Sequence, residues 1–121
     1  MRYLLPLTAI FLITISFISP QFTSQLSIKP HEQFFLGGGQ TKSFSAKAKN
    51  VGTVPVTISI RTDDGVEKEL ILLQPGKEIN AQAPSKAAML FLNASEKEAK
   101  LDVKADGKPT SLNMYYKPEQ R

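Results

Sequence analysis

The chain has 121 residues, a length that suits one domain, with fifteen Lys and Arg against eleven Asp and Glu, one His and no Cys. A net charge of +4, with the lysines of "EKEAKLDVKADGK" alternating with acids and no aromatic platform between them, excludes a nucleic-acid-binding surface. The absence of cysteine excludes disulfides, a lipoprotein anchor and a cupredoxin copper site together.

Met1, Arg2 and Tyr3 make a weakly positive start, and Leu4 to Ser19, "LLPLTAIFLITISFIS", is apolar except for Thr and Ser. That stretch has the character of a signal-peptide core and falls short of the roughly 20 residues a spanning helix needs. Residues 1–25 are therefore expected to be a signal peptide cut near "PQFTSQ", where no A-x-A occurs, or an uncleaved membrane anchor. Either outcome exports residues 26–121, secreted or periplasmic, with membrane contact only through residues 4–19 if the segment stays. Its loss lowers the net charge by one, because Arg2 is its only charged residue. The folded part must then rely on its own core.

From there the pattern has period two. Phe44, Ala46 and Ala48 point one way in "SFSAKAK", and Val54, Val56, Ile58 and Ile60 share a face in "VPVTISI". Ile79, Ala81 and Ala83 align, as do Ala99, Leu101 and Val103, and Leu112, Met114 and Tyr116. "APSKAAMLFLNASEKEAK" contains helix formers, but Met89 to Leu92 is a continuous apolar run closed by Asn93, which predicts a buried strand. Turn chemistry separates the runs: Asn50-Val51-Gly52, Asp64-Gly65, Pro75-Gly76 and Asp106-Gly107. Strands that bury one face and wet the other, with turns this frequent, predict an all-β, immunoglobulin-like antiparallel β-sandwich of about seven or eight strands.

"AKAKNVGTVPVTISIRTDDGVEKELILLQPGKEINAQAP" resembles extracellular immunoglobulin-like domains of the CARDB type, in which a strand ends in Asn-x-Gly and a later one in Leu-x-Pro-Gly. The resemblance covers about 40 residues. It implies a sandwich fold and an accessory, adhesive or interaction role, with no catalytic residues.

Several residues invite a functional reading. Asp63 and Asp64 could serve calcium, but adjacent residues of an extended chain point apart, so a hairpin turn is expected. His31 lacks cysteine or histidine neighbours for a metal and is expected in solvent. Gly37-Gly38-Gly39 could cradle a phosphate, yet a strand pattern follows it where an anion loop would lead into a helix. Asn93-Ala94-Ser95 is a glycosylation sequon. No acid falls between Glu32 and Asp63, while Lys42, Lys47, Lys49 and Arg61 do. With Ala48 opposite Val56, Lys47 would face Thr57 and Lys49 would face Pro55, an acid-free surface for an anionic glycan or lipid headgroup.

In "VEKELILLQPG", a two-residue turn at Asp64-Gly65 turns Ile71 and Leu73 inward and Leu70 and Leu72 outward, and a three-residue turn reverses this. Either register leaves an apolar pair outside. "EQFFLGGG" or the C-terminal strand could cover that pair, or a partner could. Tyr115, opposite the Leu112, Met114 and Tyr116 face, would join such an interface. With no cluster of His, Cys and acids, the expectation is an exported, non-enzymatic interaction protein without cofactors. It would bind a protein partner, or itself, through Leu70, Ile71, Leu72, Leu73 and Tyr115. The alternative is a carbohydrate- or polyanion-binding module using the lysines.

Overall fold

The computed structural model describes residues 21–106 and 112–118. They form nine strands: β1 Gln21–Ile28, β2 Glu32–Gly37, β3 Phe44–Asn50, β4 Val56–Arg61, β5 Glu67–Leu73, β6 Glu78–Ala83, β7 Ala88–Asn93, β8 Ala99–Asp106 and β9 Met114–Pro118. Two antiparallel sheets, in the orders β1-β8-β3-β6 and β5-β4-β7-β2-β9, make the expected sandwich. The alternating residues do as their period requires. Ala46, Ala48, Ala83, Ala99, Leu101 and Val103 of the four-stranded sheet are buried against Val56, Ile58, Phe91, Met89, Leu36 and Phe34 of the five-stranded one.

The winding is more specific than the sandwich architecture. β1 pairs with β8, β2 with β7, β3 with β6 and β4 with β5, all antiparallel. Gln21 to Asp106 is thus one long hairpin, with Asp63-Asp64-Gly65 at its tip, rolled so that its successive strand pairs fall in alternate sheets. This is the jelly-roll winding, and β9 adds a fifth strand beside β2. The count exceeds the expected seven or eight because β1 starts inside the stretch read as leader, and β2, with Phe34, Phe35 and Leu36 in succession, shows no alternation.

β1 begins at Gln21 and pairs residue by residue with β8, so residue 25 lies within a strand. The apolar leader itself lies outside the described residues, as does the turn at Gly107. Among the described residues, no helix is long and apolar enough to cross a membrane.

Two asparagines fasten the sheets at one pole. Asn50, at the end of β3 in one sheet, donates from Nδ2 to the Val54 and Leu73 carbonyls, at 2.8 and 3.0 Å, and so reaches β5 in the other. Its Oδ1 accepts from the Gly52 amide at 3.0 Å. Asn93, at the end of β7, mirrors it: Nδ2 donates to the carbonyls of Ile28, Lys29 and Lys97, and Oδ1 accepts from the Ser95 amide and hydroxyl. Both side chains are fully buried, and each satisfies carbonyls that the sheets cannot. The Asn-x-Gly motif is therefore a structural staple. So is the sequon: the Asn93 amide nitrogen that a glycan would occupy is buried and committed.

Candidate functional site

Lys42, Lys47, Lys49 and Arg61 do not gather on one surface. β3 pairs with β6 and β8, not with β4, so the register that placed Lys47 against Thr57 and Lys49 against Pro55 does not form. Lys47 stands between Asn80 and Lys104, and Lys49 between Glu78 and Asp102. Lys47 Nζ lies 3.3 Å from Glu78 Oε2, and Lys47, Lys49, Glu78, Asp102 and Lys104 border one shallow groove of about 260 Å³. The acids that the sequence lacks nearby are supplied by β6 and β8. Arg61 belongs to the other sheet and pairs with Glu67 at 3.0 Å, while Lys42 lies in the loop between β2 and β3.

The β5 register combines both alternatives read from the sequence. Near the hairpin tip Arg61 faces Glu67 and Ile60 faces Lys68, as a three-residue turn dictates. A bulge at Leu70 then shifts the pairing, so Ile58 faces Ile71 and Val56 faces Leu73, as a two-residue turn would have it. Leu73 consequently enters the core and is fully buried, which removes it from the expected partner-binding set. Leu70, Ile71 and Leu72 remain 40, 37 and 46% exposed. β5 is an edge strand, and neither "EQFFLGGG" nor β9 covers it, because β2 and β9 lie at the far side of the same sheet. Tyr115 on β9 is four strand spacings from β5, about 19 Å at about 4.8 Å each. It therefore belongs to a different surface.

That surface is the outer face of the five-stranded sheet. Phe34 and Leu36 take the inner face of β2, which turns Phe35 outward, and β7 likewise turns Ala88 and Leu90 outward. These three form a second, smaller apolar cluster in which Phe35 is only 2% exposed. Phe35 faces Tyr115 in the β2–β9 register, and the two rings stack with centroids 4.9 Å apart and planes 4° from parallel. The Arg61 guanidinium and the Lys117 ammonium lie 5.3 and 5.7 Å from the Phe35 centroid. Their stems and charges shield the cluster from water.

Beyond this cluster, at the pole opposite the asparagines, lies an open depression of about 240 Å³ bordered by Phe35, Gly37 to Gly39, Arg61, Thr62, Asp63, Lys86, Ala88, Asn113 and Tyr115. Residues singled out separately in the sequence, the glycine triplet, Asp63, Arg61 and Tyr115, meet here. The glycines offer no amide to an anion. Gly37 N–H donates to Asn113 O at 2.7 Å, Gly38 N–H to Gln40 Oε1 at 2.6 Å and Gly39 N–H to Lys86 O at 3.1 Å. Gly37 is required for another reason: at φ +87° a Cβ would stand 2.6 Å from the Phe44 ring.

At the hairpin tip Asp64 is spent locally. Its carboxylate accepts from the Thr62 hydroxyl and the Val66 amide, and these bonds hold its pKa below the usual carboxylate range. Gly65 sits at φ +88° as the turn requires. Asp63 borders the depression alone. Among the described residues, no group of three or more His, Cys, Asp or Glu is gathered to hold a metal. His31, at φ 57°, contacts Glu96 Oε2 through Nε2 at 2.7 Å on the surface. Sequence reading missed Lys86 and Asn113, which carry no local motif and enter only through loops closing the same pole.

No family model matches the chain, and no curated protein matches it. Among solved structures the chain is similar to the crystal structure of Yersinia pseudotuberculosis-derived mitogen (YPM), at 15% identity and a TM-score of 0.49, over 79% of this chain and 96% of that one.

Proposed function

We propose that the protein is an exported, non-enzymatic interaction protein of the cell envelope or extracellular space that binds a protein partner along the β5 edge. The observation that carries this reading is Leu70, Ile71 and Leu72 standing exposed and consecutive on an edge strand that pairs, among the described residues, with β4 alone. Such an edge offers backbone groups for strand addition and apolar side chains on both faces at once. The bulge and the charged run Glu67-Lys68-Glu69 restrict pairing near the hairpin tip, which leaves the three apolar residues as the accessible part. The apolar leader supports export. A polyanion on Lys47 and Lys49 would meet Glu78 and Asp102 in the same layer, so that alternative draws less support.

The test is retention of an envelope protein by the immobilised chain, followed by the affinity of the purified pair. Leu72→Lys should leave the melting curve within about 0.5 kcal/mol of wild type, since its side chain is half exposed. It should weaken the complex about tenfold or more. A partner held equally well by Leu72→Lys and Leu70→Lys chains would refute the β5 edge.

A further inference from the structure

The depression beside Tyr115 carries an inference separate from the β5 edge. We infer that it binds a single acidic sugar residue of an envelope or extracellular polysaccharide. Three features converge on that ligand. Tyr115 is fixed flat against Phe35, yet 43% of it stays exposed, which leaves aromatic surface for the apolar side of a sugar ring. The volume of about 240 Å³ accommodates one six-membered ring. Its polar rim also has capacity left over. Asn113 Nδ2 is committed to the Gly38 carbonyl at 2.9 Å, so Oδ1 is the atom left to accept from a hydroxyl, and the Asp63 carboxylate accepts as well.

The cation decides the charge of the ligand. Arg61 is already shared between Glu67 and the Phe35 ring. Lys86 has no acid within ion-pair reach among the described residues, and it is held at the rim by a backbone at φ 67° bonded to Gln40 O and Gly39 N–H. Its ammonium is therefore the charge left to meet a carboxylate on the incoming ring, at the Lys86 side of the rim and away from Asp63. A phosphoryl group is disfavoured, because the three glycine amides that would cradle it are all engaged.

The experiment is calorimetric titration of the full-length chain with tri-galacturonic acid and, in parallel, with the neutral galactose trimer. The acidic trimer should bind, and the neutral one about tenfold more weakly or worse. Lys86→Gln should weaken binding about fivefold or more. Tyr115→Ala should abolish it, and Tyr115→Phe, which keeps the stack, should retain it. Leu72→Lys should leave sugar binding unchanged, so loss of the protein partner and loss of the sugar are read independently. The inference is overturned by no binding of the acidic trimer, by equal binding of the neutral one, or by binding that persists in the Tyr115→Ala chain.

Discussion

On the outer face of the four-stranded sheet, Lys47, Lys49, Asp102 and Lys104 stand among Glu78 and Asn80, while the corresponding face of the five-stranded sheet carries Phe35, Leu90, Ala88 and Tyr115. The first face mixes charges of both signs over strands that alternate strictly, and water completes its solvation. The second is built on β2 and β7, where apolar residues run without interruption, "FFL" and "AMLFL". In a two-layer fold only one side of a strand can face the shared core, so such runs force a second apolar layer outside it. Here that layer is sealed by the protein's own Tyr115, Arg61 and Lys117. The comparison teaches that an unbroken apolar strand in a sandwich marks the face on which surface chemistry concentrates.

The contrast can be broken most sharply by truncating one residue from each face. Phe35→Ala should cost about 3 kcal/mol in denaturant unfolding, close to an inner-core truncation, because its ring is nearly fully buried. Lys104→Ala, on the polar face, should stay within about 0.5 kcal/mol. Equal small losses would show that the outer cluster is not a core. A lesser effect is expected where the sheets are joined. Asn93→Ala leaves the Ile28 and Lys97 carbonyls without their donor and should cost about 2 kcal/mol, as should Asn50→Ala through Val54 and Leu73.

The smallest effect concerns Tyr116, on the inner face of β9, where its ring packs on Phe34 with centroids 4.9 Å apart. Burial raises the pKa of Tyr116 above its ordinary value, and the Glu32 charge adds to it against a hydrogen bond with the Ser27 backbone. A raised folded-state pKa means that this contribution is fully present below the unfolded value, about 10, and is lost as pH rises through the folded one. Tyrosinate absorbance should lose its late-titrating component in Tyr116→Phe, and the alkaline fall in stability should be shallower in that variant.

The sequence by itself determined the all-β class, the inward residues of β3, β4, β6 and β8, the buried strand through Met89 to Leu92, and the turns at Gly65 and Gly76. Each follows from side-chain period or from the φ a turn demands, which are local properties. Tertiary structure decided which strands are neighbours, and with that everything about sites. It brought Glu78 and Asp102 to the lysines, buried Leu73, moved Tyr115 away from Leu72 and gathered Lys86 and Asn113 beside it. Even the β5 register needed it, because a bulge opposite Ile58 resolves a one-residue ambiguity that the turn leaves open. Alternation says which way a side chain points from its own strand, whereas what it meets depends on residues distant in the chain, joined only when the long hairpin rolls up.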